Sequence, residues 1–451
     1  MLLAEKDKSL CSRSPKSLSD VLRMKFSVIM KALTTLLLRG AGSGITVLFT
    51  LLVSRHMETQ AAAEFFLLFN VSTIAAVCFR WGMDETIVRR VAAAGENERQ
   101  PLGQKLVALS HRRVLSWTMV ATIPTAALLS PPISSLLLGL KAEEVLITVA
   151  TSMLIALVGC AARVHQGAGR TNMATFLLNI CIPLFSLLGF LFCIVMGFQP
   201  EATGLISIYA MVAMFTYLCA VSRPYGSPYA LLFACNPASA TYDALRERRA
   251  ANKLGGVVLA QQALLWGSYL IIPLSYDDTT YKGFIVAQKV ATLISLLMLA
   301  INFTFSARFA SLHTGRKYQE LRKLIGFSCF AILAASVLFA VLVVYFYDLV
   351  FTFANIGSGM APTLFILLAS QVFFSLASLF AVVLSMCHDE DFLLGAQGSI
   401  NSCSFLLFLI VSVIAPIEIT CAVFFVSYLV LSIVLGLRVF SITYLRASKL
   451  T

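Results

Sequence analysis

Long apolar runs constrain this chain more than any other feature of its sequence. A helix that crosses the hydrocarbon core of a bilayer needs about 20 predominantly apolar residues. Twelve segments fit that description, at 32–53, 65–83, 114–139, 145–162, 173–196, 202–222, 254–275, 284–306, 325–347, 360–386, 392–414 and 418–438. Because a backbone in lipid must satisfy its own hydrogen bonds, these runs predict helices. We therefore predict an all-α integral membrane protein with about twelve transmembrane helices.

Composition excludes the soluble and the disordered classes. Of the 451 residues, 59% are hydrophobic and only 12% are charged. Soluble domains are about 45–50% apolar and about 25% charged. Disordered chains combine low hydrophobicity with high net charge, which is the opposite of this composition.

The positions of the basic residues predict the orientation in the membrane. Of the 34 Lys and Arg, 29 fall in segments that are cytoplasmic if the N-terminus is cytoplasmic. Three fall in outer loops (Arg55, Lys141 and Lys282), and Arg39 and Lys289 lie within spans. Cytoplasmic loops of membrane proteins are enriched in Lys and Arg. The distribution predicts that both termini are cytoplasmic, and it explains the net charge of +12 without a nucleic-acid partner.

The longest interior polar stretch, 223–253, divides the spans into two groups of six. We predict a cytoplasmic N-terminal segment 1–31, an N-lobe 32–222, a cytoplasmic linker 223–253, a C-lobe 254–440 and a cytoplasmic tail 441–451. Because six is even, both lobes start from the same face, as parallel repeats do. An offset of 219 positions pairs Glu58 with Asp277 and Arg89 with Arg308, which suggests a duplicated fold.

The chain lacks the motifs of the common enzyme classes. It contains no Walker A, HExxH or Ser/His/Asp arrangement, and its outer loops are too short for an extracellular domain. No CxxC pair is present, and the His residues lack the spacing of metal ligands. We predict that the protein is not an enzyme and has no catalytic residue, metal or cofactor.

Charged residues within spans are costly and are candidates for function. Lys289, with Gln288 beside it, lies about 8 Å inside the predicted outer end of the eighth span. Arg39 lies about 12 Å into the first span, next to the small residues of the sequence GAGSG. The alternatives are that Lys289 extends to the lipid headgroups and that Arg39 marks a helix end beside a packing seam.

Further polar residues are candidates for substrate contact or gating. Gln262 and Trp266 share one face of the seventh span and suit substrate binding, although a Trp in a span is more often a packing residue. At the end of the second span, Arg80 with Asp84 and Glu85 with Arg89 have i,i+4 spacing. Solvated surface ion pairs are the simpler interpretation there. The candidates for gating or coupling are Asp84, Glu85, Arg89, Arg163, Arg170 and Arg308.

Three stretches resemble the polysaccharide transporter family, the O-antigen and capsule repeat-unit flippases of the multidrug/oligosaccharidyl-lipid/polysaccharide exporter superfamily. In residues 38–92 the similar features are the Gly-containing first span, the Ser54–Arg55 turn, Phe65 at the start of the second span, and Gly82 followed by Asp84 and Arg89. Residues 281–312 resemble the opening of that family's second half. Residues 162–178 resemble its turn between the fourth and fifth spans.

The resemblance implies a two-lobed fold of twelve helices whose central cavity opens alternately to each face. It implies that the cargo is an undecaprenyl-pyrophosphate-linked oligosaccharide, carried across the bacterial inner membrane for O-antigen (lipopolysaccharide), capsule or exopolysaccharide synthesis. The implied partners are this lipid-linked oligosaccharide and membrane lipids, with a polysaccharide polymerase and a chain-length regulator as further candidates. Arg39 and Lys289, one in each lobe, would favour the pyrophosphate or acidic sugars.

Three other functions remain open. A multidrug or organic-cation exporter of the same superfamily is the main alternative, although cationic residues without buried acids disfavour a cationic cargo. An integral-membrane polysaccharide polymerase usually needs a sizeable outer loop. A membrane scaffold would leave the cost of Arg39 and Lys289 unexplained.

Overall fold

The computed structural model describes residues 18–94, 96–128, 142–198, 201–225, 244–387 and 389–448. The predicted linker and the outer end of the third predicted span therefore lie partly outside the described residues. Every regular element in the described ranges is helical.

The helices fall into two sets that follow the two predicted lobes. The N-lobe contains α1 (Leu18–His56), α2 (Thr59–Arg80), α3 (Met83–Ala93), α4 (Glu96–Leu128), α5 (Ala142–Gly167), α6 (Thr171–Val195) and α7 (Ala202–Tyr225). The C-lobe contains α8 (Ala244–Ser275), α9 (Asp278–Thr292), α10 (Ser295–Thr314), α11 (Tyr318–Phe353), α12 (Ala361–Met386), α13 (Glu390–Ile414) and α14 (Ile417–Ser448).

Nine helical segments in the described ranges are long and apolar enough to cross a membrane. They belong to α1, α2, α5, α6, α7, α11, α12, α13 and α14. The other three predicted spans, 114–139, 254–275 and 284–306, correspond to α4, α8 and the pair α9–α10. The total of twelve spans and the cytoplasmic position of the termini stay predictions.

Two predicted spans are interrupted, which corrects the prediction of continuous helices. α2 ends at Arg80, because Trp81 and Gly82 take left-handed backbone conformations with φ of 38° and 74°. Such a conformation is uncommon for a residue with a side chain and breaks the helix. The span at 284–306 is divided by a turn at Leu293 and Ile294.

The helix boundaries repeat at the offset of 219 positions found in the sequence. The paired helix ends are His56 with Ser275, Gly167 with Met386, and Val195 with Ile414; the paired starts are Thr59 with Asp278, Ala142 with Ala361, and Thr171 with Glu390. Agreement at both ends of several helices is a stronger sign of duplication than a few residue identities. The two lobes are therefore copies of one arrangement.

The paired helices α2 and α9 begin differently although both have an acidic residue at the N-cap. The Asp277 carboxylate accepts hydrogen bonds from the Thr280 hydroxyl, at 2.6 Å, and from the backbone N–H of Thr279 and Thr280. These hydrogen bonds lower the pKa of the Asp277 carboxyl group, and the bond from the Thr280 hydroxyl contributes most. Glu58 makes no such side-chain cap in the other lobe.

Buried apolar side chains join the two lobes. One apolar cluster contains residues from both lobes, including Phe49, Phe65, Phe284 and Phe424. A second cluster, with Phe309, Leu321, Leu384 and Leu435, has all its described members in the C-lobe. Where the two lobes meet, α1, α2 and α3 contact α8, α9 and α10.

A close approach of two backbones fixes the position of α1 within the N-lobe. Gly42 is buried, and a Cβ atom at this position would overlap the backbone carbonyl of Asn179. Asn179 belongs to the π-helical turn Phe176–Cys181 in the middle of α6. Only a residue without a side chain allows these two backbones to lie so close.

We predict that Gly42→Ala destabilises the protein by about 1–3 kcal/mol, because the new methyl group overpacks a backbone contact that cannot move locally. Thermal unfolding of the purified protein in detergent measures the effect. Gly44→Ala is the matched control, since a Cβ there meets nothing within 4 Å. Equal stability of the two variants would contradict this packing.

Candidate functional site

The break between α2 and α3 carries an ion pair. Arg80 Nη1 lies 3.3 Å from Asp84 Oδ2, and Arg80 Nε donates a hydrogen bond to the Ala76 carbonyl at 3.2 Å. The sequence pairs these residues on one helix, whereas the structure joins them across the Trp81–Gly82 turn. The Arg163 Nε lies 3.9 Å from the same Asp84 oxygen. One carboxylate therefore faces two guanidinium groups.

Gly159 on α5 provides the space for the Arg80 side chain. A Cβ atom at Gly159 would overlap the guanidinium group of Arg80. The side chain could move aside only by giving up its bonds to Asp84 and the Ala76 carbonyl. The absence of a side chain at Gly159 thus lets Arg80 reach Asp84 and the Ala76 carbonyl.

A cavity of about 280 Å³ lies beside this break, and we call it the hinge cavity. Asp84, Trp81 and Arg163 line it from the N-lobe, and Gln262 and Trp266 line it from α8. The structure therefore brings five residues together at the contact between the lobes. Four of them, all except Trp81, are predicted site residues.

A second cavity of about 180 Å³ lies between α1, α5 and α6 and is closed on one side by α10. We call it the arginine cavity, because Arg39 and Arg163 both line it. Its other polar lining residues are Ser43, Gln166, Thr175 and Asn179. Arg163 lines both cavities, so a movement of its side chain would change the shape and charge of both.

Lys289 lies where the lobes meet and is not among the residues lining these two cavities. Its Nζ is 5.6 Å from the ring centre of Phe69 on α2 and 5.8 Å from that of Tyr269 on α8. Aromatic faces attract a cation at such distances. Because the rings belong to different lobes, the ammonium group is held between them. This surrounding favours a functional or packing role over extension to lipid headgroups.

Gln288 is almost fully buried beside Lys289. Neither its side-chain nitrogen nor its oxygen has a hydrogen-bond partner among the described residues. A buried amide without partners costs free energy. Its role in substrate binding stays a prediction.

Of the remaining predicted gating residues, Arg170 and Arg308 do not line either cavity. Arg170 is exposed at the turn between α5 and α6, and Arg308 is exposed on α10. Glu85 and Arg89 lie on α3, but their side chains are outside the described part of the chain. Their roles stay predictions.

The sequence prediction missed the partners of the cationic residues. Phe69 and Tyr269 are ordinary aromatic residues of apolar spans, and no sequence signal shows that both rings face Lys289. Asn179 lines the same cavity as Arg39 only through the packing of α1 on α6, whereas Ser43 follows Arg39 by one turn of α1, a spacing that the sequence shows. The nearest available signal was the Gly-rich sequence around Gly42, which indicated close packing of the first span.

Hydrogen bonds between the lobes close the predicted outer face. Ser54 Oγ donates to the Ala354 carbonyl at 2.7 Å, and Asn355 Nδ2 donates to the Arg55 carbonyl at 3.1 Å. The Arg55 guanidinium lies 4.7 Å from the ring centre of Phe353. These five residues tie the end of α1 to the end of α11, and we call them the outer clasp.

This arrangement suits binding better than covalent chemistry. The two cavities present hydrogen-bond donors, two aromatic rings and more basic than acidic groups. Among the described residues, no group of three or more His, Cys, Asp or Glu side chains could hold a metal ion.

Comparison with known proteins shows the fold. Neither a protein-family model nor a curated protein sequence matches the chain. A multidrug resistance MATE family transporter of the MOP superfamily, solved in an inward-facing conformation, matches with a TM-score of 0.69 and 14% identity. That match covers 91% of this chain and 98% of the solved one.

Two further solved structures extend this comparison. An outward-facing conformation of a multidrug resistance MATE family transporter has a TM-score of 0.63 and 13% identity, covering 92% of this chain and 96% of that one. A MOP superfamily transporter from Pyrococcus furiosus, described as having a binding pocket of reversed polarity, has a TM-score of 0.61 and 13% identity, covering 91% and 96%. At these identities the likeness establishes the MATE-type fold, which has twelve spans in two lobes, and nothing finer.

We predict that Asn355→Gly loosens the outer clasp. Asn355 has φ of 51°, so glycine keeps the left-handed backbone while removing the hydrogen bond to the Arg55 carbonyl. Losing a bond of about 0.5–1.5 kcal/mol should speed local opening about 2- to 10-fold. Hydrogen exchange of the Met57 and Ile356 amides measures it.

Two variants complete that experiment. Ser54→Ala should act in the same direction, because it removes the buried hydroxyl that donates to Ala354. Arg316→Gly is the control, since Arg316 also has a left-handed φ of 56° but is exposed outside the clasp. Unchanged exchange at the clasp in both test variants would refute the closing role.

Proposed function

We propose that this protein is a membrane transporter that works by alternating access. The observation that carries the proposal is the pair of duplicated lobes, tied together at one face by the outer clasp. The hinge and arginine cavities lie elsewhere along the contact between the lobes. The MATE-type fold supports this function, and no arrangement in the described residues calls for an enzyme reaction.

The comparisons support a multidrug exporter better than a polysaccharide flippase. Two of the similar solved structures are described as multidrug resistance transporters, and neither they nor the Pyrococcus protein are described as carrying polysaccharide. The aromatic residues Trp81, Trp266, Phe69 and Tyr269 would suit flat amphipathic molecules. We take export of amphipathic compounds as the first cargo hypothesis.

The charge of the cavities supports the second cargo, a lipid-linked oligosaccharide. Arg39, Arg163 and Arg80 outnumber Asp84, and Lys289 adds a further cation between the lobes. Cationic groups in a site of low polarity favour phosphate or carboxylate over organic cations. A bacterial inner-membrane location and the polymerase and chain-length partners belong to this second hypothesis.

Deletion of the gene separates the two cargoes. If drug sensitivity rises while surface polysaccharide is unaffected, the exporter hypothesis gains. If lipid-linked repeat units accumulate on the cytoplasmic face and surface polysaccharide disappears, the flippase hypothesis replaces it. No change in either, in a strain with no second transporter of the same fold, would count against both.

We predict that Lys289→Ala lowers transport of the cargo so identified by about tenfold or more, since it removes a cation held between Phe69 and Tyr269. Complementation of the deletion strain, at matched membrane protein levels, measures this. Lys317→Ala is the control, because Lys317 is exposed and pairs only with Glu320. Full activity of the Lys289 variant would remove Lys289 from the transport pathway.

A further inference from the structure

The arginine cavity contains two basic side chains with unused donors. The Nε atoms of Arg39 and Arg163 are buried and have no hydrogen-bond partner among the described residues. Both arginines line the same cavity. No Asp or Glu in the described part of the chain lines this cavity. Asp84 Oδ2 lies 3.9 Å from Arg163 Nε but only 3.3 Å from Arg80, so this shared carboxylate neutralises the two cavity cations incompletely. Unneutralised charge in an apolar bundle costs free energy.

An anion in the cavity would remove this cost. Guanidinium groups bind oxyanions with fork-shaped pairs of hydrogen bonds. Ser43, Gln166 and Asn179 add neutral hydrogen-bonding groups to the same lining. The volume of about 180 Å³ is below the roughly 300–1,000 Å³ typical of pockets for drug-sized ligands. The cavity therefore suits a small anionic group rather than a whole drug molecule.

The contacts of Arg163 connect this cavity to the helix break. Arg163 Nη1 donates to Gln166 Oε1 at 2.6 Å, but Nε is 3.9 Å from Asp84 Oδ2, beyond a good hydrogen bond. Asp84 has its closer partner in Arg80, at 3.3 Å. Arg163, which already lines the arginine cavity, is thus held only weakly by Asp84.

We propose that the arginine cavity binds a phosphate-class oxyanion between Arg39 and Arg163, and that the anion competes with Asp84 for Arg163. Binding would leave Asp84, at the start of α3, paired with Arg80 alone. The electrostatic contact between α5 and the segment after the Trp81–Gly82 turn would then weaken. The anion could be free or the headgroup of a lipid. The inference rests on the proposed transport function, for which it supplies a cargo subsite.

Binding of inorganic pyrophosphate to the purified full-length protein in zwitterionic lipid nanodiscs tests the site. Calorimetry should show saturable binding that falls about tenfold or more in Arg39→Gln and in Arg163→Gln. Arg316→Gln, at an exposed position after α10, should bind as the native protein does. Equal affinity in all four proteins, or no binding at all, would overturn the proposal.

Two nearly isosteric variants keep the test valid if an arginine variant does not fold. Asn179→Asp places a negative charge in the lining and should also weaken binding about tenfold or more. Asp84→Asn removes the competitor and should strengthen binding about threefold or more, because Arg163 is then released. Weaker binding in Asp84→Asn would overturn the competition, and unchanged binding in Asn179→Asp would overturn the site.

A lipid arm distinguishes the sources of the anion. A polyprenyl pyrophosphate incorporated in the nanodisc should displace inorganic pyrophosphate if the site takes a lipid headgroup, and should leave it bound if the site takes a free anion. Neither result depends on transport. Loss of binding with transport intact would refute only this inference, whereas binding without transport would refute only the proposed function.

Discussion

A chain embedded in lipid must satisfy its backbone hydrogen bonds within its own helices, and the rest of this structure follows from that requirement. Irregular backbone is tolerated only where protein or a cavity surrounds it. The three irregular places described above obey this rule. The turn at Trp81–Gly82 lines the hinge cavity, the π-helical turn Phe176–Cys181 borders the arginine cavity, and the turn at Leu293–Ile294 precedes the Leu296 and Leu299 side chains that close the arginine cavity.

The same requirement explains where charges are found. A cation inside a helical bundle is costly unless it serves a partner or a ligand. Arg80 has both an acidic partner and a notch at Gly159, so it is a well-satisfied structural residue. Lys289 has only aromatic faces as described neighbours of its ammonium group, and Arg39 has an unpaired Nε. The satisfied arginine therefore holds the helix break together, and the less satisfied cations are the better candidates for cargo contact.

The fold comparison and the chemistry of the cavities favour different cargoes. The likeness to multidrug transporters concerns the path of the helices, which duplicated lobes of many functions could share. Cargo choice depends on a few side chains in the cavities. Here those side chains carry more positive than negative charge, so the fold comparison favours one cargo and the local chemistry favours the other. The anion site proposed for Arg39 and Arg163 is where this difference can be resolved.

Much of the architecture follows from the sequence because it depends on local composition. Apolar runs mark the spans, the polar stretch at 223–253 separates the lobes, and the offset of 219 suggests a duplicated fold. The repeated helix boundaries were found only in the structure. The sequence also identifies Arg39, Lys289 and Asp84 as charged residues whose positions in or next to spans are costly and therefore suggest a function. It could not identify their neighbours. That Phe69 and Tyr269 enclose Lys289, that Arg163 lines two cavities, and that Ser54 meets Ala354 depend on helices far apart in the chain. Only tertiary packing decides such contacts, because hydropathy shows that a helix is buried in lipid or protein but not which neighbour each of its faces meets.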